Sequence, residues 1–310
     1  MAGGIRPALS LRTPLQASRS LWGPLGRARG GAVGGLRMVD AAEIEKLTKK
    51  AQEALGGVAA KAPTKLSKAL KKPTGAPTIC VEFCRKNDIP HHKVDEISLH
   101  VRRSKAALIV VDVSEADDGE KDVEAFVKEQ ATAKGNFPGP TGIVWRGGVN
   151  SVEAVAKAAA YGCSGVAFSV QEVGEKTGDL IRASHALGME PLVEIQDKDE
   201  VAMAVKEGAK ILQVRFGSAA VQSFMAFAAV SLKNEIPKDI ISIASVAGRQ
   251  GGSELGYAQQ LLNAKYSSIM FTRMIDDCTK AENERYVRYI LQEVLSKRSS
   301  TLKINENKGG

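Results

Sequence analysis

The sequence predicts an α/β protein built as a single (β/α)8 TIM barrel, and three observations lead there. Eight short apolar runs rich in β-branched residues recur from Thr78 onward. They are nearly continuous rather than alternating, as parallel strands buried on both faces require. Stretches of helical period separate them, several ending in glycine. Eight strand–helix units in about 200 residues is the size of a closed barrel.

Residues 1–38 hold six arginines and neither lysine nor acid, in a background of Gly, Ala, Leu and Ser. That composition predicts a disordered organelle transit peptide, for the chloroplast, with the mitochondrion as alternative. Arginine, glycine and proline interrupt any run that could serve as a secretory core. Residues 39–75 form an Ala- and Lys-rich helical lead-in, with Ile44, Leu47, Ala51, Ala54 and Leu55 at helical spacing. Gly56-Gly57 ends that helix, and Lys65–Leu70 is read as a further short turn.

The barrel is expected over residues 76–298. Its strands are Thr78–Cys84, Ala107–Val113, Gly142–Trp145, Gly165–Val170, Pro191–Ile195, Ile211–Val214, Ile240–Ser245 and Ser268–Thr272. Between them lie helical patterns at Val123–Lys134, Ser151–Tyr161, Thr177–Leu187, Lys198–Glu207 and Glu254–Asn263. Three connections repeat one grammar: Gly162-Cys163-Ser164, Gly188-Met189-Glu190 and Gly208-Ala209-Lys210. A glycine there supplies the positive φ of a helix C-cap and lets the chain turn into the next strand. An open doubly wound sheet would carry a glycine fingerprint after its first strand. Cys84-Arg85-Lys86-Asn87-Asp88 is unlike one. Cys278–Lys297 reads as the closing helix, with Tyr286, Tyr289, Ile290 and Leu295 on its apolar side, and residues 299–310 as a disordered tail.

Composition excludes several functions. The formal charge of +8 resides in the first 75 residues, because residues 76–310 carry 29 basic and 31 acidic side chains. Neither nucleic acid nor membrane is therefore expected as a partner. No apolar run reaches the length of about 18 residues that a spanning helix needs. Cys80, Cys84, Cys163 and Cys278 form no CxxC pair, so neither a disulfide scaffold nor a structural metal is indicated. His91-His92 have no supporting third ligand, and no metal or cofactor is expected.

In such a barrel chemistry sits at the C-terminal ends of the strands. Those ends carry Glu82, Cys84, Arg85 and Lys86 on the first strand, and Trp145 and Arg146 on the third. Glu194 ends the fifth, Arg215 the sixth, Ser245 the seventh and Arg273 the eighth. Asp112 on the second reads as a capping or structural acid. Alternation places Cys80, Glu82 and Cys84 on one face, and an inward Glu82 needs a cationic partner such as Arg146 or Arg215. Arg146, Arg215, Arg249 and Arg273, with Ser245 and the loop from Gly248, suggest a pocket for phosphate or carboxylate, which arginine recognises bidentately.

Leu187–Ser218, reading LGMEPLVEIQDKDEVAMAVKEGAKILQVRFGS, resembles the fifth and sixth units of the indole-3-glycerol-phosphate synthase family. TICVEFCRKND (Thr78–Asp88), IPKDIISIASVAG (Ile236–Gly248) and LSKALKKP (Leu66–Pro73) resemble the same family. The resemblance spans roughly residues 65–277. It implies a barrel that decarboxylates and closes a phosphorylated anthranilate-ribulose adduct in tryptophan biosynthesis, a carboxy-lyase without metal or cofactor. It matches the first-strand Glu to Glu82, the fifth-strand general base to Glu194 and the seventh-strand Ser to Ser245. Other positions depart. Cys84 and Arg146 replace two lysines, the second of them the general acid. Arg215 replaces an Asn, Gly217 an Arg, Ala244 a Glu, and Phe271-Thr272-Arg273 the phosphate-binding run. Guanidinium keeps its proton in proteins, so Arg146 holds an anion but donates no proton.

The expectation is an organelle-targeted synthase-like barrel that lacks the standard activity and binds a phosphorylated or carboxylated small molecule or a protein partner. The alternative is an active synthase in which Glu82 and Glu194 are retained and Lys86 stands in as the acid.

Overall fold

A computed structural model describes residues 39–56, 62–85, 94–216, 222–248, 251–275, 285–286, 288–290 and 292–294. Expectations for residues 1–38 and 299–310, and for Lys86, His91, His92, Gly217, Arg249 and Cys278, lie outside them. The strands are β1 (Thr78–Cys84), β2 (Leu108–Asp112), β3 (Gly142–Arg146), β4 (Gly165–Ser169), β5 (Glu190–Ile195), β6 (Ile211–Val214), β7 (Ile241–Ala247) and β8 (Ser268–Ile275). They pair in parallel in that order, and β8 returns to β1 to close the barrel.

The helices between them are α3 (Val94–Arg103), α4 (Gly119–Thr132), α5 (Val152–Ala160), the short α6 (Val170–Val173), α7 (Thr177–Ala186), α8 (Lys198–Lys206), α9 (Gln222–Leu232) and α10 (Ser253–Asn263). Residues 285–294 include helical residues whose Ile290 and Val294 are buried. Tyr289, expected on the apolar side there, is half exposed. It neighbours the buried Ile290 in sequence, and adjacent helical residues point about 100° apart.

Strand alternation divides the apolar residues into two cores. Cys80, Leu108, Val110, Val144, Ala167, Leu192, Ile211, Ile243 and Met270 fill the barrel interior. Their neighbours Val81, Ile109, Trp145, Val166, Val193 and Phe271 face the helices. Every residue of β1, β2, β4, β5 and β6 is buried, which is why these runs show no polar alternation.

The glycine grammar holds at Gly162 (φ 84°), Gly188 (φ 78°) and Gly208 (φ 91°). After α3 and α10 the same turn is made by Lys105 (φ 66°) and Lys265 (φ 70°), where the sequence offers no glycine to signal it. Ser151 and Asp197 cap α5 and α8 by accepting backbone N–H groups of the first turn.

The lead-in forms α1 (Ala41–Leu55), which lies against α5 and α7, and α2 (Lys65–Leu70). The floor of the barrel is closed by α2, whose Leu66 and Leu70 are buried in the interior core. Leu66 comes so close that a Cβ on Gly142 or Gly165 would stand 2.4 or 2.6 Å from it. The Glu190 carboxylate accepts the N–H groups of Leu66 (2.5 Å) and Ser67 (3.2 Å). These are first-turn donors that have no partner within the helix.

Candidate functional site

Strand parity brings five of the expected residues into the mouth at the C-terminal end of the barrel. Glu82, Arg146, Glu194, Arg215 and Ser245 sit at positions in step with the interior residues of their own strands. Glu82 is fully buried and Glu194 nearly so.

Arg146 is the hub. Its Nε and Nη2 donate to the two oxygens of Glu194 at 2.8 and 3.2 Å, and its Nη1 donates to Asp112 Oδ2 at 2.5 Å. Glu82 Oε1 lies 3.8 Å from its Nε. Burial works against the guanidinium charge, but Glu194, Asp112 and Glu82 outweigh it and hold Arg146 more firmly protonated than usual. Burial also pushes the Asp112 carboxyl up, yet Arg146 and Ser114 overcome this and leave it below the ordinary range. Ser114 donates to Asp112 Oδ1 through its N–H (3.0 Å) and its hydroxyl (2.6 Å). Asp112 is thus both a turn cap and a third buried carboxylate of the mouth.

Arg215 supplies the second inner cation. Its Nη1 stands 2.9 Å from Glu82 Oε1, and its Nε stands 3.7 Å from Glu194. The Arg215–Glu82 contact is one of charge, because neither atom is aligned for a hydrogen bond. Arg273 contributes backbone instead of side chain: its N–H donates to Glu82 Oε2 at 2.9 Å from a left-handed φ of 48°. Its guanidinium turns outward to Glu115. The mouth therefore holds three buried carboxylates against two inner arginines.

Other expected residues are committed locally. The Ser245 hydroxyl accepts from Gln213 Nε2 at 3.0 Å. The Gly248 N–H donates to the carbonyl of Thr272 at 2.9 Å. Cys84 occupies its inward position as a neutral thiol, pushed up to about 11 by burial and by Asp112 and Glu82. Arg85 faces the helix layer, buried and paired with Asp118 and Asp122 near the start of α4. Its odd place beside Glu82 and Cys84 is the signal that excludes it from the mouth. Trp145 likewise faces outward, against Tyr161. The sequence reading missed Glu115 and Glu190, whose partners come from other units of the chain. No cluster of His, Cys, Asp and Glu suited to a metal occurs among the described residues.

A cavity of about 560 Å³ opens outside the ring of strands, between α1 and the loops after β2 and β3. Ser114, Gly147, Asn150 and Lys157 line it. Ser114 links its wall to the mouth through Asp112.

No protein-family model matches the sequence, and no curated protein matches it. Solved structures do resemble it. A cube-shaped, highly porous protein cage designed by fusing symmetric oligomeric domains aligns at 15% identity and a TM-score of 0.56, over 75% of this chain and 77% of that one. Native KDPGal aligns at 14% identity and a TM-score of 0.54, over 73% of this chain and 96% of that one. The N-acetylmannosamine-6-phosphate 2-epimerase of Clostridium perfringens aligns at 17% identity and a TM-score of 0.48, over 64% and 87%. At these identities the likeness is one of fold, and with the closed parallel sheet it makes the chain a (β/α)8 TIM barrel.

Proposed function

We propose that this is an indole-3-glycerol-phosphate-synthase-like barrel without the standard ring-closing decarboxylation, acting as a binding subunit for a protein partner. The bidentate pair of Arg146 and Glu194 carries the loss of the standard activity. By the family resemblance, Arg146 stands at the position of the general acid and Glu194 at that of the general base. A guanidinium held by three carboxylates gives up no proton. Each oxygen of Glu194 already accepts a donor from Arg146. General acid–base catalysis is worth about 10²–10⁴-fold in rate, so its loss leaves at most feeble turnover.

An anionic small molecule is the less favoured occupant. Phosphate or carboxylate would have to displace Glu82, Asp112 or Glu194 from the arginines it uses, and the inner mouth carries more carboxylates than guanidinium groups. The acid-free, arginine-rich residues 1–38 support delivery of the barrel to the chloroplast or the mitochondrion.

The alternative reading is an active synthase in which Glu82 and Glu194 are retained and Lys86 stands in as the acid. Supplying the anthranilate-ribulose phosphate adduct to the purified chain and following indole fluorescence separates the two. No turnover is expected, and turnover at ordinary enzyme rates would establish the second reading. Thermal stabilisation by millimolar phosphate without turnover would restore the anionic ligand in place of a protein partner.

A further inference from the structure

The fold sets part of the basic lead-in beside basic residues of the otherwise near-neutral barrel. The connections entering β1, β2, β3 and β4 lie together at the N-terminal end of the barrel, opposite the mouth. Lys65, Lys68, Lys71 and Lys72 lead into β1, Arg103 and Lys105 into β2, and Lys134 into β3. All seven side chains are exposed, and residues 62–77, 103–107, 133–141 and 161–164 contain no acid. Lys68, Lys71, Lys72, Arg103, Lys105 and Lys134 form no ion pair among the described residues. Acids collect at the other end, where Glu115, Asp117, Asp118 and Glu120 follow β2.

An aromatic side chain projects from this basic face. Phe137 is 89% exposed, and Lys105 Nζ lies 6.0 Å from its ring. Its loop is anchored from beneath by two buried side chains. Arg102 Nη1 donates to the Pro138 carbonyl at 2.8 Å, and Gln130 Oε1 accepts the Thr141 N–H at 2.6 Å. The fold thus holds a phenyl ring out in water among uncompensated cations.

We infer that this face docks peripherally on an anionic lipid bilayer, with Phe137 entering the headgroup layer and the surrounding bases facing lipid charge. Such a surface supplies diffuse negative potential worth about 1 kcal/mol per nearby base, and interfacial binding adds buried apolar area to the attraction of basic residues for anionic lipid. A bilayer needs no matched acid–base register, and the connections before β1–β4 offer none. Single-stranded nucleic acid is disfavoured because such binding uses aromatic side chains as stacking platforms. Here Phe137 stands alone, since Tyr161 packs on Trp145. The sequence-based expectation of no membrane partner rested on net charge and on the lack of a spanning segment. No helix of the described residues is long and apolar enough to span, and surface docking requires none.

Sedimentation of the full chain with phosphatidylcholine vesicles, with and without phosphatidylserine, tests this. Binding is expected only to the anionic vesicles, and it should weaken as salt rises. Lys105→Glu/Lys134→Glu should lower the partition coefficient at least about 25-fold, from about fivefold per base. Phe137→Ser should lower it several-fold while the melting temperature stays unchanged. Vesicle binding that survives the double charge reversal overturns the inference, since it would then come from another part of the chain. So does failure to bind anionic vesicles, or capture of a DNA duplex at a salt concentration where vesicles are not bound.

Discussion

The guanidinium of Arg146 grips the carboxylate of Glu194 with two donors, at 2.8 and 3.2 Å, across the barrel mouth from β3 to β5. A third donor of the same fork reaches Asp112 on β2. One side chain thereby ties together three strands that only close in space when the barrel forms. Arg146→Ala should cost about 3–5 kcal/mol in chemical denaturation, the range seen when one partner of a buried pair is removed and the other charge is stranded. Arg146→Lys should recover only part of that, because an ammonium cannot reproduce the planar fork. Loss of less than about 1 kcal/mol in the alanine variant would mean the mouth admits water to the carboxylates.

The depressed Asp112 carboxyl links stability to acid. Its folded value lies below the unfolded one of about 3.9. The stabilisation it gives is therefore present above that unfolded value and lost as pH falls through the folded one. Melting temperature should drop on acidification below about pH 4. Asp112→Asn should remove part of that acid slope while lowering stability at neutral pH, a pattern readable in a series of thermal melts.

Two glycines on the floor should respond differently to the same change. A Cβ on Gly165 would stand 2.3 Å from the backbone oxygen of Glu190, which cannot swing aside. On Gly142 its one close contact would be a terminal methyl of Leu66 at 2.4 Å. Gly165→Ala should therefore destabilise by about 3 kcal/mol or more, above the usual overpacking range. Gly142→Ala should cost less, and Leu66→Ala should relieve it. Equal melting temperatures for the two alanine variants would contradict this geometry.

Cys84 should be inert in the native state. With the thiol pushed up to about 11 and only 3% of the residue exposed, almost no thiolate is present at pH 8. Iodoacetamide should modify it only in denaturant, at the unfolding rate, as peptide mapping of timed samples would show.

Glu190 reaches from β5 to the first-turn amides of α2. Glu190→Ala leaves those donors buried without a partner and should cost about 1–3 kcal/mol. Glu190→Gln should retain part of the interaction. Faster hydrogen exchange in residues 62–72, with the strands still protected, would locate the effect in α2.

The strands were legible because a parallel sheet buried on both faces leaves uninterrupted apolar runs. β1 and β6 keep the boundaries read from sequence, and the others shift by one to three residues at an end. Helix α9 was not legible: QSFMAFAAVSL is apolar on all sides and shows no helical period, and Phe227 on it is exposed. Lys105 and Lys265 make turns that sequence grammar assigns to glycine. Within the mouth, alternation along the first strand turned Glu82 inward, and place at a strand end singled out Arg146, Glu194 and Arg215. What parity cannot supply is partnership between strands that are not neighbours in sequence. The arginines read as ligand-binding groups and the glutamates read as catalytic groups pair with one another, and only the closed register of the sheet brings Arg146 to Glu194.

The helix under the barrel also decides where the protein can be cut. A fragment beginning at Thr78 would carry every strand and still lack Leu66 and Leu70, leaving an open floor lined by Leu192 and Val144 and an uncapped Glu190. The repeating unit of this barrel is thus smaller than its unit of independent stability. Fragment complementation, circular permutation or fusion of one half-barrel to another would each need to carry that short turn along. Two pieces separated before β1 should find each other through it and through α1, which lies against α5 and α7.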